Sequence, residues 1–484
     1  MTDKMHGWQE RVKAAEDRAQ EESRQDGWRL GHHLMPPAGW LNDPNGLSQK
    51  DGIYHVYFQY SPFDPEGGEK FWGHYESPDL IRWRYTGAFL APDTVWDRCG
   101  VYSGCALAED GKLYIYYTGN VKKDGDYDYI HAGREANTIL TVTEDGRTPE
   151  GKELLMTNED YGSDMSCHVR DPKVWKEDGV CYMVQGARDD SDRGCVLVFS
   201  SENGRSWTRI NVLRKESLKA YMWECPDLFS LGRQRILSFS PQGLEAETYR
   251  FQNRYQSGWC VLNGDFRETD GYVLEDFHEW DMGFDFYAPQ TFEDDRGRRI
   301  LIGWMGMIEC DYDNLPTVRR GWQHCLTIPR ELIWDKERKA ILQRPVCEME
   351  KLRAEEELYR ERANLEWNRS EGLEVIASMR DAAADLNLEA GGLRLNYEKE
   401  SGVILLSFKD ESGRGRKLRR AKIGKLFNIR IFLDSSAAEI YINDGETVLS
   451  TRFYPEKECL PLKITVEKGT ILVYHLKNME IDRI

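Results

Sequence analysis

The stretch Asp110-Gly111-Lys112-Leu113-Tyr114-Ile115-Tyr116-Tyr117 sets a two-residue turn signal directly before a short apolar and aromatic run. Asp-Gly accepts the positive φ angles of a hairpin turn, and β-branched and aromatic side chains suit a pleated, half-buried surface. The run is about five residues long, which is strand length and well short of a helix. The same texture recurs on both sides. Tyr54-His55-Val56-Tyr57-Phe58 and Cys195-Val196-Leu197-Val198-Phe199 are further runs, while Glu177-Asp178-Gly179 and Glu202-Asn203-Gly204 are further turn clusters. Helical periodicity is hard to find from residue 28 to residue 345. Hairpins repeated over this length predict an all-β body, either a propeller or a large sandwich. No clean sequence period is visible, so repetition alone gives no blade count.

Outside this body the chain changes character twice. Residues 8–25 are dense in Glu, Arg, Lys and Ala and predict a charged surface helix, within an N-terminal extension of residues 1–27. Residues 346–366 read as a linker, and Cys347-Glu348-Met349-Glu350-Lys351-Leu352-Arg353-Ala354-Glu355-Glu356-Glu357-Leu358 predicts a short helix inside it. Beyond it, Val403-Ile404-Leu405-Leu406-Ser407-Phe408, Phe427-Asn428-Ile429-Arg430-Ile431-Phe432 and Ala438-Glu439-Ile440-Tyr441-Ile442 predict strands, the last running into the turn Asn443-Asp444-Gly445. Residues 367–484 have the size and texture of a β-sandwich.

Of the 484 residues, 40% are hydrophobic and 12% aromatic, ample for more than one core. The net charge of -18 argues against nucleic acid or an anionic membrane as partner, since both need clustered Lys and Arg. Eleven cysteines, an odd number with no Cys-x-x-Cys pair, predict free thiols in a reducing cytoplasm rather than a disulfide framework or a metal site. The N-terminus lacks the apolar core of a signal peptide, and no stretch approaches the ~20 apolar residues of a membrane span, which also points to the cytoplasm. Asp124-Gly125-Asp126-Tyr127-Asp128 imitates part of a calcium loop, but Tyr129 stands where that loop needs glycine, so a solvated hairpin loop is expected. No metal and no cofactor are expected.

Three acids stand in unusual surroundings: Trp40-Leu41-Asn42-Asp43-Pro44-Asn45-Gly46, Val169-Arg170-Asp171-Pro172-Lys173 and Trp223-Glu224-Cys225-Pro226-Asp227. Singly, Asp-Pro and Asn-Gly are turn formers and a lone Glu is a solvated charge. Together they share a pattern, each acid within a residue or two of a proline and beside a tryptophan or an arginine. Paired carboxyl groups are what hydrolysis of a glycosidic bond needs.

These three motifs resemble the signatures of glycoside hydrolase family 32, the invertase and sucrose-6-phosphate hydrolase group. Phe71-Trp72-Gly73-His74, Val101-Tyr102-Ser103-Gly104, Tyr117-Thr118-Gly119-Asn120, Asp285-Phe286-Tyr287-Ala288-Pro289-Gln290 and Gly303-Trp304-Met305 match in order. Val169 and Cys105 depart from the usual Phe and Ser. The resemblance implies a five-bladed β-propeller followed by a C-terminal β-sandwich. It implies a retaining β-fructofuranosidase acting on sucrose, sucrose 6-phosphate or short fructo-oligosaccharides, with Asp43 as nucleophile, Glu224 as acid/base and Asp171 stabilising the transition state. Asn42, Gln59, Trp72, Ser103, Arg170, Tyr287 and Trp304 are then expected around the sugar. Retention implies carboxyls of Asp43 and Glu224 about 5–5.5 Å apart. Asp43 must be ionised, so nearby donors should hold its carboxyl low, whereas Glu224 must carry a proton to give. A fructosyltransferase and a carbohydrate-binding protein with a dead site are the alternatives, and the second is disfavoured because all three acids are present. The expected partner is a small-molecule sugar, and the sandwich offers a surface through which copies of the chain could associate.

Overall fold

The computed structural model describes residues 2–22, 26–380 and 385–483. Its strands gather into six sheets. The quoted turn is a hairpin as expected: Asp110 and Gly111 have φ of 49° and 73° and join the antiparallel strands Val101–Glu109 and Lys112–Lys122. Asp51-Gly52 and Asp178-Gly179 make the same pair of positive φ angles in two other sheets.

Five sheets have a four-strand antiparallel run, and in each the first strand in sequence lies innermost. These inner strands are Gly39–Lys50, Val101–Glu109, Met165–Glu177, Met222–Leu231 and Tyr287–Glu293. Each packs on the next, and the last returns to the first, so the ring closes into a β-propeller. Apolar clusters fill the spaces between neighbouring sheets. Trp72, Phe89, Leu113 and Tyr117 form one, and Trp223, Phe239, Leu237 and Phe277 form another. The first sheet also takes two parallel strands from afar, Trp322–Gln323 and the late Glu480–Arg483.

The sixth sheet has ten strands and folds over itself into a sandwich-like body. Two long strands make this possible. The first half of Cys459–Leu476 pairs with Leu386–Ala390 and the second half with Leu373–Met379, so one strand serves both layers. Its partner Arg353–Asn368 slips register at Glu361, which has φ 62°, opposite the irregularity at Lys468, φ 53°. A bulge in each strand turns the pair from one layer to the other. Leucine, isoleucine and valine from both layers are buried between them, each contributing about 1.5–3 kcal/mol.

Two expectations need correction. The N-terminal helix runs Thr2–Glu22, beginning before residue 8, and positions 23–25 lie outside the described residues. Trp8, Val12 and Glu16 share its inner face: Trp8 meets Phe71, and Glu16 accepts from the hydroxyls of Tyr60 and Tyr85 at 2.9 and 2.6 Å. The helix expected over Cys347–Leu358 exists only as the 3₁₀ turn Cys347–Leu352, after which the chain is the strand Arg353–Asn368. Its outward face is charged, and the acid-rich composition mimicked a helix although cross-strand pairing decides the conformation.

The propeller meets the sandwich across buried charges. Arg330 donates to Glu439 at 2.6 Å and to Asp281 at 3.1 Å, all fully buried. His33 bridges Asp434 and Glu439 at 2.8 and 3.1 Å. Arg416 of the sandwich grips Asp285 with two hydrogen bonds of 2.8 Å, two residues before Tyr287.

Candidate active site

Every inner strand carries the same defect at the same end. In the first, Leu41 and Pro44 pair with Tyr60 and Phe58, so Asn42 and Asp43 together oppose Gln59 alone. The others repeat this two-against-one bulge: Tyr102 and Ser103 against Thr118, Asp171 and Pro172 against Gln185, Cys225 and Pro226 against Phe239, Ala288 and Pro289 against Gly303. Proline has no N–H to give a ladder; Pro172, Pro226 and Pro289 stand unpaired inside their bulges, and Pro44 follows the first bulge directly. Asp171, Cys225 and Ala288 accordingly take φ of 62°, 46° and 47°. Bulges re-aim side chains, and here they turn them into the ring's centre.

Asp43 accepts from the Ser103 hydroxyl at 2.5 Å and from the Asn42 amide at 3.0 Å. Gln59 holds Asn42 from behind at 2.7 Å, and Trp40 and Lys70 donate to the Asn42 oxygen at 2.8 and 3.1 Å. Asp171 accepts the Cys225 N–H at 2.9 Å. The Cys225 sulfur lies 3.7 Å from Asp43 and 3.6 Å from Asp171, between the two carboxylates. Glu224 is gripped on both oxygens. Arg170 donates to Oε1 at 3.0 and 2.6 Å, while Gln242 and the Tyr287 hydroxyl donate to Oε2 at 2.5 and 2.6 Å.

Three carboxyl groups in one water-poor funnel repel. Burial pushes the Asp43 carboxyl up; Ser103, Asn42 and the Lys70 charge pull it back, Glu224 pushes it further, and the net direction is upward. The expectation of a depressed Asp43 is thereby overturned, because burial outweighs the donors. Asp171 is pushed up to about 7, by burial first, with Arg170 opposing and Glu224 and Asp43 adding. Burial lowers Lys70 to about 8 against the pull of Asp43.

Of the expected sugar-binding residues, Asn42, Ser103, Arg170 and Tyr287 touch one of the three acids. Gln59 supports Asn42. Trp304 packs edge-on against Tyr287 and tilted against Trp40, its buried indole N–H meeting no acceptor among the described residues. Trp72 is fully buried, donates to the Tyr102 carbonyl at 3.1 Å, and lies beneath the bulge. Val169 and Cys105 are buried in one apolar cluster among the packed sheets. Cys225, Gln242, Lys70 and His168 were not anticipated. Cys225 stood inside a quoted motif; the other three carry no local signal. Among the described residues no cluster of His, Cys, Asp or Glu is arranged for a metal.

Residues 33–345 match the model of the glycosyl hydrolases family 32 N-terminal domain, and residues 358–482 match that of the family's C-terminal domain. The chain belongs to glycosyl hydrolase family 32. It is 38% identical over 443 residues to the sucrose-6-phosphate hydrolase of Bacillus subtilis, covering 89% of this chain and 90% of that protein. Among solved structures, sucrose-6-phosphate hydrolase from Lactobacillus gasseri is similar, with a TM-score of 0.86, 26% identity and coverage of 96% and 97%. The Bombyx mori β-fructofuranosidase has a TM-score of 0.85 at 29% identity, covering 98% of this chain and 99% of that one. The family 32 chain is therefore a glycosidase of the invertase type, and no helix among its described residues is long and apolar enough to cross a membrane.

Proposed function

We propose that this enzyme is a retaining β-fructofuranosidase that hydrolyses the fructosyl bond of sucrose or its 6-phosphate by double displacement. The carrying observation is the convergence of Asp43, Asp171 and Glu224 on three bulged inner strands, each acid held by its own donors. A carboxylate of Asp43 attacks the anomeric carbon of the fructofuranosyl unit. Glu224 gives its proton to the glycosidic oxygen, the C–O bond breaks, and a fructosyl ester on Asp43 remains. Water then loses a proton to Glu224, attacks the same carbon, and frees fructose and the Asp43 carboxylate. Asp171 and the neighbouring Arg170 hold ring hydroxyls and the oxocarbenium-like transition state. Asn42, Gln59, Ser103, Tyr287, Trp72 and Trp304 complete the sugar pocket, the last two from beneath and beside it.

The proton belongs on Oε2 of Glu224. Arg170 holds Oε1 and cannot accept a hydrogen bond, whereas the Tyr287 hydroxyl and the Gln242 amide at Oε2 can both turn to accept one. The Asp43→Asn variant is expected to lose turnover by at least ~10³-fold while still binding sugar. Near-normal kcat in that variant would refute the nucleophile.

The same reading takes the blade count as five, supported by the fivefold recurrence of the bulge. It divides the chain into an extension at 1–27, a catalytic propeller at 28–345, a connection at 346–366 and a sandwich at 367–484. A cytoplasmic location belongs to it as well, supported by eleven cysteines that are all free. Association of copies through the sandwich is its remaining element, readable by light scattering.

A further inference from the structure

The two donors at Glu224 Oε2, the Gln242 amide and the Tyr287 hydroxyl, are both held by one loop, residues 243–257. It joins the strands Gln234–Gln242 and Gly258–Gly264 with no helix or strand of its own. Connections of that length without regular structure are uncommon in compact bodies and usually serve function. The end of the loop grips both donors. Tyr255 pairs with Gln242 as an isolated antiparallel bridge, and its ring lies 6.0 Å from that of Tyr287. The Ser257 hydroxyl meets that of Ser240 at 2.8 Å and accepts the N–H of Ala288, next in the chain to Tyr287, at 3.1 Å.

The middle of the loop is held by the sandwich. Leu418–Lys422 is an edge strand of the ten-stranded sheet, paired on one side by Val403–Phe408. An edge strand leaves a row of backbone groups open to a partner. Here the Gln252 side-chain amide donates to the Arg420 carbonyl at 2.7 Å and accepts the Arg420 N–H at 3.0 Å, standing in for a neighbouring strand.

Arg419 adds a second tie from the same strand. Its Nη2 and Nε donate to Asn253 Oδ1 at 2.5 and 3.1 Å, and Nε also reaches the Gly283 carbonyl at 3.3 Å. Asn253 Nδ2 donates to that same carbonyl at 2.9 Å. The guanidinium lies 4.1 Å from the centre of the Phe284 ring. These acceptors are all neutral, so the planar fork works by fixing position rather than by balancing charge. Two consecutive sandwich residues thus hold two consecutive loop residues by side chain and backbone together.

We propose that Arg419, Gln252 and Asn253 are positioning residues of acid catalysis: the sandwich clamps the loop at 243–257, and the loop keeps Gln242 and Tyr287 on the Glu224 oxygen that carries the proton. The role rests on Glu224 being the acid that protonates the leaving oxygen. Inside the propeller the Phe251 N–H also donates to Glu279 at 3.0 Å, so the loop loosens rather than detaches when the sandwich lets go.

The test compares kcat/KM for sucrose, whose leaving oxygen needs the proton, with that for para-nitrophenyl β-fructofuranoside, whose nitrophenolate leaves without one. Gln252→Ala, Asn253→Ala and Arg419→Met should each lower the sucrose value about tenfold, part of the roughly 10²–10⁴-fold that a general acid supplies, and leave the nitrophenyl value within about twofold. Arg419→Lys, which keeps the charge without the fork, should recover part of the sucrose loss. Arg338→Met removes a different contact with the sandwich, to Asn443 and Asp444 at 2.8 and 3.0 Å, and should leave the ratio of the two values unchanged. Equal losses on both substrates in the clamp variants, no loss on either, or the same selective loss in Arg338→Met overturns the proposal. Glu224→Gln tests the reading beneath it. It should lose sucrose cleavage and keep the nitrophenyl value, and if it cleaves sucrose normally the acid assignment fails whatever the clamp does.

Discussion

Asp43 works against its own burial. Its carboxyl is pushed up by the funnel, so the Ser103 and Asn42 hydrogen bonds are what favour the ionised form that the proposed mechanism requires. Ser103→Ala should therefore lower kcat/KM and move its acidic limb to higher pH, because losing a donor raises the Asp43 pKa further. A pH–rate profile checks this; an unmoved limb would show that Ser103 only shapes the pocket. Cys225 sits where a larger or charged side chain would collide with two carboxylates, and its thiol is itself pushed far up by burial and those charges. It stays a neutral contact rather than a nucleophile.

At the scale of elements, the bulged strands depend on close backbone approach. A Cβ added at Gly186 would stand 2.2 Å from the carbonyl oxygen of Trp223, the residue before Glu224. That contact is backbone and cannot swing aside. Gly186→Ala should cost about 1–3 kcal/mol by overpacking and displace Glu224, so thermal melting and kcat should fall together. A variant with normal kcat would show that Glu224 is placed independently of its neighbour strand. The hairpins were legible because Asp-Gly turns and aromatic runs are local signals. The prolines next to the acids were legible too, but only as turn formers. Their shared role, breaking the ladder at one level in successive strands, needed the pairing register, which spreads over distant residues. The strand Arg353–Asn368 failed for the same reason: its conformation is set by Cys459–Leu476, about a hundred residues on.

For the whole molecule, the buried seam between propeller and sandwich couples stability to pH. Burial alone would lower His33, but Asp434 and Glu439 outweigh it and raise its pKa from 6.5 to about 9. A raised pKa stabilises fully below about pH 6.5, and that contribution fades as pH climbs towards 9, a loss on the order of 3 kcal/mol. Glu439 is depressed from 4.5 to about 2: burial pushes it up, but Arg330 and His33 prevail, so its contribution is lost only as pH falls from 4.5 towards 2. Melting temperature should fall between pH 6.5 and 9 in the wild type, and His33→Gln should flatten that slope; an equal slope in both would remove His33 from the seam's titration. The seam's pairing was not visible in the sequence, since Arg330 and Glu439 look like ordinary charges until the domains close on them. The seam reaches the site, because Arg416 fixes Asp285 and thereby the strand that presents Tyr287 to Glu224. The proposed mechanism displaces a leaving group twice at one carbon. The most direct measurement is the anomer formed when the enzyme acts on sucrose in aqueous methanol, where methyl fructofuranoside cannot mutarotate. The β-anomer, read by NMR, is predicted from double displacement through Asp43; the α-anomer would mean inversion and contradict it.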